Sequence, residues 1–369
     1  MVRSRSKRRV IVDLDALVAN FGLLSSKVSP SICGAVVKAN AYGLGVREVA
    51  SALSDAGCEW FFVASSLEAF ELREVLPSAE IVAFEGPSIE SCAEMLDQNI
   101  KPVLNSYEDA KLWAGACAKS EHGACLVHVD SGMNRLGMTA TDIDRLLNDE
   151  STLSAISIEY VMSHLACADE PGHTRNALQL ERFDRLRQRF PDIATSIANS
   201  SAVFLGDRYS GDLARVGIAM YGGTPNPAAL NPMQNVATVQ GQVLQIRKLA
   251  SDDAIGYGAT TIADAGTFLA TVAFGYADGY PRSLGGKAQA YVGGKVVPVI
   301  GRISMDSLVV DVSDVADSVN VGDWVTLVGP EVPLDEVAAL AGTISYEILV
   351  GLGPRVERVY AHGDLRLNS

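Results

Sequence analysis

The sequence predicts an α/β fold: an N-terminal (β/α)8 TIM-like barrel followed by a mainly β C-terminal domain. Two observations carry this. Through the first two-thirds of the chain, eight short strand-like segments alternate with segments whose apolar residues recur at helical spacing. Beyond a Pro/Asn-rich stretch at Thr224-Pro225-Asn226-Pro227, short β-rich runs separated by turn residues take over. A length of 369 residues suits two domains, and a hydrophobic content of 48% suffices for a large core.

The strand candidates of the first part are Ile32–Lys38, Trp60–Ala64, Ile81–Phe84, Lys101–Leu104, Cys125–Asp130, Ser157–Ser163, Thr195–Ala198 and Leu213–Ile218. Val46–Ala56 and Leu67–Leu76 are examples of the helices between them, and the link between the last two strands is short. Eight such alternations suggest a closed barrel. An open doubly wound sheet also alternates, but the glycine fingerprint of a dinucleotide-binding fold is absent. The second part offers strands at Val239–Leu249, Thr267–Val272, Ala288–Tyr291, Lys295–Ile300, Ser307–Val312 and Asp323–Val328, interrupted by a helix at Leu334–Ala341. The domains therefore divide as 10–232 for the barrel and 1–9 with 233–369 for the β-rich domain. Arg9–Val12 reads as a stray strand of the latter.

A net charge of −14 argues against a nucleic-acid partner, because phosphate binding needs a basic surface. The basic start, Arg3, Arg5, Lys7, Arg8 and Arg9, reads as a frayed, solvated end. No apolar stretch approaches the ~20 residues of a membrane span, and no apolar segment of a signal peptide follows the basic start, which points to a cytoplasmic protein. Six cysteines, all in the first half, form no C-x-x-C pair, so no metal site is expected and the thiols read as reduced core residues.

The chemistry begins at Lys38. An apolar run, Ile32 to Val37, ends on this lysine, and a loop with two glycines, Gly43 and Gly45, follows. Desolvation at a buried strand end disfavours the ammonium form. A neutral amine there is able to form a Schiff base with a carbonyl cofactor. A lysine that snorkels from a strand end is the plainer alternative. Asp130, His164, Asn199 and Arg215 also fall at or near predicted strand ends, on the rim where barrel active sites form.

The undecapeptide Ala35-Val36-Val37-Lys38-Ala39-Asn40-Ala41-Tyr42-Gly43-Leu44-Gly45 closely resembles the pyridoxal phosphate lysine motif of the alanine racemases. Further segments resemble that family in order along nearly the whole chain. They include Asp130-Ser131-Gly132-Met133-Asn134-Arg135, Ser163-His164, Ala198-Asn199-Ser200, Ala214-Arg215-Val216-Gly217-Ile218, Gly256-Tyr257-Gly258, Gly275–Arg282, Gly301–Asp306 and Ser345-Tyr346-Glu347. The resemblance implies that Lys38 holds pyridoxal 5'-phosphate covalently and is the base on one face of the substrate Cα. Tyr257 matches the base on the opposite face, which the family supplies from the partner subunit of a homodimer. A free phenol, with a pKa of ~10, is a poor base at neutral pH and needs nearby positive charge; His164 and Arg215 match the positions that supply it. Arg215 matches the residue at the cofactor's pyridine nitrogen. An arginine there does not surrender its proton, so the ring stays neutral and proton return to Cα is favoured.

By the same resemblance, Tyr42, Asn199, Ser200, Gly217, Ile218 and Tyr346 bind the cofactor, chiefly its phosphate. Arg135 reaches the cofactor's phenolic oxygen and the substrate carboxylate, a good partner for a guanidinium fork. Met305, through its backbone N–H, contacts the same carboxylate, and Tyr276 and Arg282 line the substrate entrance. The implied activity is the interconversion of L-alanine and D-alanine, the latter a peptidoglycan precursor if the source is bacterial. Broad-specificity or serine racemisation remains open. A fold-related basic amino-acid decarboxylase would want an acidic residue where Arg215 stands, and a non-catalytic cofactor carrier would have no use for the C-terminal motifs. Two positions depart from the pattern. Some family members carry a carbamylated lysine seven residues before the Arg135 position, where this chain has His128, so Arg135 needs another partner. Ser304 stands where the family often has cysteine.

Overall fold

The computed structural model describes residues 6–118 and 123–362. Arg3 and Arg5 of the basic start lie outside them. Eight parallel strands form the first sheet: β2 (Ile32–Val36), β3 (Trp60–Val63), β4 (Glu80–Ala83), β5 (Ile100–Leu104), β6 (Ala124–His128), β7 (Ser157–Met162), β8 (Ala194–Ser196) and β9 (Leu213–Val216). They pair in sequence order from β2 to β8, and β9 pairs back onto β2. A parallel bridge between Asn199 and Arg215, with the Arg215 N–H donating to Ala198 O at 2.9 Å, closes the ring between β8 and β9. The strands are short and almost wholly buried, as parallel strands covered on both faces must be. The short β8–β9 link holds two 3-10 turns, Ala202–Phe204 and Asp207–Tyr209, in place of a helix.

At the N-terminal end of the barrel the interior is polar. Lys101 is 5% exposed and its ammonium lies 3.0 Å from Glu80 and 2.9 Å from Glu159. Two carboxylates around one ammonium plug that end, which leaves the opposite end for a cavity.

The second sheet contains β1 (Arg8–Asp13), β10 (Ala237–Lys248), β13 (Phe268–Val272), β14 (Gln289–Val292), β15 (Lys295–Ile300), β16 (Leu308–Asp311), β17 (Trp324–Val328) and β18 (Glu357–Ala361); β11 (Asp253–Ala254) and β12 (Ile262–Ala263) form a separate small hairpin. The long β10 pairs with β17 along its first half and β13 along its second, so six of the strands close on themselves. β1 lies between β10 and β18 over its whole length, from Arg8 paired with Gly241 to Asp13 paired with Ala361. Residues 10–13 therefore belong to the β-rich sheet, and the barrel's first boundary moves past Asp13. Nor are Arg8 and Arg9 frayed. Arg8 Nε donates to the fully buried Asp278 at 2.8 Å, and the Arg9 guanidinium lies 3.9 Å from the Trp324 ring centroid.

Arg358, on β18, joins the two domains. Its guanidinium donates to five acceptor contacts on four backbone carbonyls: Gly43 O twice (3.0 and 2.9 Å), Gly353 O, Val356 O and Leu352 O. The neighbouring Tyr360 hydroxyl donates to Leu44 O at 3.1 Å. The segment just after Lys38 is thus pinned to the β-rich domain. No helix among the described residues is long and apolar enough to cross a membrane. Arg358→Lys offers three donors for a fork of five and leaves buried carbonyls unpaired. We expect it to lower unfolding free energy by about 2–3 kcal/mol, read as a shift in the urea midpoint at unchanged slope.

Candidate active site

Every strand of the barrel contributes to one cavity of about 400 Å³ at its C-terminal end. Val36, Lys38 and Tyr42 come from β2 and its exit, Ala64 from β3, Phe84 and Glu85 from β4, and Val103 and Asn105 from β5. His128, Arg135 and Leu136 follow from β6, Met162 and His164 from β7, Asn199 and Ser200 from β8, and Arg215, Gly217 and Ile218 from β9. The β-rich domain adds Tyr346 from the helix Ser345–Val350. The size and mixed lining suit a cofactor-sized ligand.

Lys38 sits half-buried where β2 ends. Burial lowers its pKa, the Arg135 charge lowers it further, and Glu68 opposes both. The segment after it is not the open glycine loop expected. Ala39, Asn40, Ala41 and Tyr42 occupy the left-handed region, with φ between 51° and 54°, before Gly43 and Gly45 end the turn. This turn carries Tyr42 under the cavity, stacked on Tyr221 at 4.6 Å between centroids and 5.9 Å from the Tyr346 ring. The Tyr42 hydroxyl comes so close to Gly217 that a Cβ there would collide with it. Ser200 Oγ accepts the Gly217 N–H at 2.7 Å, and the Ile218 N–H has no acceptor among the described residues. Hydroxyls and a free N–H around a backbone with no side chain form a cradle of the size and polarity of a phosphate.

Arg215 is 3% exposed. It donates to Ser196 Oγ at 2.5 Å and Ser163 O at 2.7 Å, and its Nη2 lies 3.4 Å from His164 Nδ1. Burial pulls its pKa down to about 10, so it remains a cation at neutral pH. Desolvation, then the Arg215 charge, push His164 well below the ordinary imidazole range. Arg135 is exposed on a loop ordered by Asp130, whose Oδ1 accepts the N–H groups of Gly132, Met133 and Asn134 at 2.8, 2.9 and 3.1 Å. Among the described residues no hydrogen bond or ion pair holds the Arg135 guanidinium. His128 Nδ1 pairs with Asn105 Oδ1 at 2.8 Å, and burial, followed by Arg215, lowers its pKa to about 4.

Tyr257, Tyr276, Arg282 and Met305 do not line this cavity. All four are exposed on the β-rich domain, Tyr257 at 68%. The Tyr276 N–H donates to Ser304 O at 3.1 Å and the Ala277 N–H to Met305 O at 3.0 Å. This contact requires Gly275, since a Cβ there would strike the carbonyls of Ser304 and Met305. Gly258, next to Tyr257, lies against the Arg302 guanidinium, three residues before Met305. The Met305 N–H has no acceptor among the described residues. Asp278 anchors the cluster: it accepts from Arg8, from Arg355 at 2.9 Å and from the Gly275 N–H at 2.9 Å, while Arg355 also reaches Asp306 at 2.7 Å. One chain thus holds two groups of predicted site residues that it does not join.

Sequence reasoning missed Asn105, Glu85, and the Ser196 and Ser163 clamp on Arg215. Asn105 directly follows an apolar strand, so the strand-end rule that found Lys38 would have found it.

The sequence profiles of the alanine racemase N-terminal and C-terminal domains match residues 12–225 and 236–360. An alanine racemase of Rhodospirillum rubrum is 45% identical over 369 residues, covering 99% of this chain and 98% of its own. A catabolic alanine racemase of Mesorhizobium japonicum is 42% identical, covering 95% of this chain and 93% of its own. Among solved structures, the Bartonella henselae alanine racemase with covalently bound pyridoxal phosphate superposes with a TM-score of 0.91 at 38% identity, covering 97% of this chain and all of that one. The biosynthetic alanine racemase of Pseudomonas aeruginosa gives 0.90 at 35% identity, covering 97% of this chain and all of its own. With both domains matched and relatives aligned end to end, this chain belongs to the alanine racemase family.

Proposed function

We propose that this protein racemises alanine with pyridoxal 5'-phosphate bound at Lys38, by proton transfer at both faces of Cα. The observation that carries the reading is the pairing, in one cavity, of a lysine whose ammonium form is disfavoured with a buried arginine that has no carboxylate partner among the described residues. The residues fit the cofactor: Tyr42, Ser200, Gly217, Ile218 and Tyr346 hold its phosphate, and Asn199 completes the wall. When bound, the cofactor supplies an electron sink for the charge that develops at Cα. Arg215 keeps its own proton and so limits that sink, which favours return of the proton to Cα. Lys38 takes or gives the proton on one face.

Tyr257 acts on the other face, and it comes from a partner subunit. Its 68% exposure in one chain, outside the Lys38 cavity, is what a residue completing another copy's cavity requires. His164, neutral beside Arg215, lies on the route by which that positive charge lowers the cost of a tyrosinate. Arg135 and Met305 meet the substrate carboxylate, and Tyr276 and Arg282 narrow the approach. This homodimer carries two composite sites.

The test is racemisation of L-alanine in D2O with added pyridoxal phosphate, read as chirality and deuterium at Cα, with L-serine run in parallel. Lys38→Ala and Tyr257→Phe should each lower inversion about 10²–10⁴-fold. Tyr257→Phe should still exchange the Cα hydrogen of one enantiomer without inverting it. A wild-type rate in Tyr257→Phe would sink the two-base reading, and faster turnover of serine would sink the alanine assignment. Mixing and re-associating the two inactive variants should restore about a quarter of wild-type activity, since half the dimers are mixed and each has one intact site. No recovery would rule out composite sites.

His128 adds a pH dependence. Its folded pKa of about 4 lies below the ordinary 6.5, so its stabilising contribution is complete above pH 6.5. As pH falls from 6.5 to 4 the unfolded chain takes up a proton that the folded imidazole refuses, and stability falls by about 3 kcal/mol. His128→Asn should flatten the stability curve of the cofactor-free protein in that window by about one proton, measured by denaturant titration at a series of pH values.

A further inference from the structure

Ser65-Ser66-Leu67-Glu68 has the S-x-x-E spacing of a helix capping box. Half of that box forms: Ser65 Oγ accepts the Glu68 N–H at 3.3 Å and starts the helix Ser66–Val75. The carboxylate does not return to the Ser65 N–H. One oxygen accepts the Ala64 N–H at 2.7 Å, just beyond β3. The other leaves its own helix and accepts the Ala39 N–H at 2.8 Å. A single carboxylate therefore ties together the exits of two neighbouring barrel strands, and one of those exits is Lys38.

The tie falls where the backbone is strained. Four successive residues other than glycine, Ala39 to Tyr42, are left-handed, at a cost of roughly 1–2 kcal/mol each. Such a turn persists only where its surroundings over-determine it. Its far end is held by the Gly43 N–H on Ala39 O (2.9 Å), the Gly45 N–H on Asn40 O (3.0 Å) and the Val46 N–H on Asn40 Oδ1 (2.8 Å). At its near end the Ala39 N–H belongs to the peptide that begins with the Lys38 carbonyl, and Glu68 is its acceptor.

We propose that Glu68 is a positioning residue for Lys38, whose bridging carboxylate fixes the Lys38–Ala39 peptide and so aims the amine into the cavity. This rests on the reading of Lys38 as the amine that takes the cofactor. Glu68 acts through geometry and through charge, and the two are separable. The charged groups around Lys38 are Arg135, which disfavours the ammonium form, and Glu68, which favours it. His164, neutral, and Glu85, Arg215 and His128 line the same cavity. Glu68→Asp keeps the charge but is one methylene too short to span both N–H groups. Glu68→Gln loses the charge and presents an N–H where an acceptor is needed. Glu71→Gln removes a charge from an exposed position one turn along the same helix and leaves the bridge intact.

Two measurements on the full-length protein freed of cofactor test this. The first is the rate of covalent capture of added pyridoxal phosphate, followed by absorbance. The second is the pH profile of Lys38 labelling by an amine-directed reagent, mapped by mass spectrometry. Glu68→Asp and Glu68→Gln should both slow capture about 10²-fold, the size of effect a misplacement of about 1 Å produces. Only Glu68→Gln should move the labelling profile, to lower pH, which makes its amine more available and yet slower to react. Glu71→Gln should match wild type in both. Capture at the wild-type rate in a folded Glu68→Asp or Glu68→Gln protein would overturn the proposal, as would equal slowing in Glu71→Gln. If wild type itself captures no cofactor at Lys38, the functional reading fails instead, and the two failures are told apart by that control.

Discussion

A guanidinium buried without a counter-ion governs this site. Arg215 is all but inaccessible, and among the described residues no carboxylate pairs with it. Burying a cation in this way is costly unless polar groups surround it. Here a carbonyl and a hydroxyl do so, Ser163 O at the end of β7 and Ser196 Oγ at the end of β8. The cation can be placed only where three strand ends converge, so the closure of the barrel and the electrostatics of the cavity are one problem. Its field then sets the rest. His164 and His128 are both held neutral, by burial first and by Arg215 next. With Arg135 at the mouth, the cavity favours anionic ligands such as a phosphate or a carboxylate.

Both ends of the described chain meet in the β-rich domain, and one of them ties it to the segment behind this cavity. β1, near the start, and β18, near the end, lie side by side in one sheet. From β1, Arg8 reaches Asp278 beneath the Tyr276 turn; from β18, Arg358 and Tyr360 grip Gly43 and Leu44 just beyond Lys38. The same sheet therefore supports the backbone behind the lysine and the exposed cluster that contains Met305. A shift of one relative to the other would break a fork of five N–H contacts and a buried ion network together.

Much of the fold was legible because burial writes itself into composition. Most of the barrel strands are short runs rich in apolar residues and covered on both faces, so their positions survive in the sequence even where their ends shift by one or two residues. Lys38, His164 and Arg215 were legible for the converse reason, as polar residues at or near the ends of such runs. What stayed hidden depends on partners distant in the chain. β18 (Glu-Arg-Val-Tyr-Ala) looks like a polar tail until β1 lies beside it. Arg8 reads as a loose charge until Asp278 is found beneath it. The left-handed turn has no glycine or proline to announce it, since its four residues are Ala, Asn, Ala and Tyr. Glu68 was concealed by a motif that local rules explain too well: the spacing announces a capping box, and only the folded chain shows the carboxylate turned toward Ala39.

The separation of the two residue groups within one chain bears on why the reading needs a second copy. Two bases on opposite faces of one Cα must approach from opposite sides, and a barrel rim presents its side chains from one side only. All eight strand ends of this barrel are already used on the Lys38 side. The proposed opposing base therefore comes from elsewhere, on a rigid support that does not obstruct entry of the substrate. The Tyr257 turn, braced by Arg302 and near the segment that presents Met305, is such a support, and within its own chain it lines no part of the cavity. Under the proposed two-base reading, the exposure of Tyr257 follows from assigning one face of the reaction to the barrel and the other to the second domain of a neighbour.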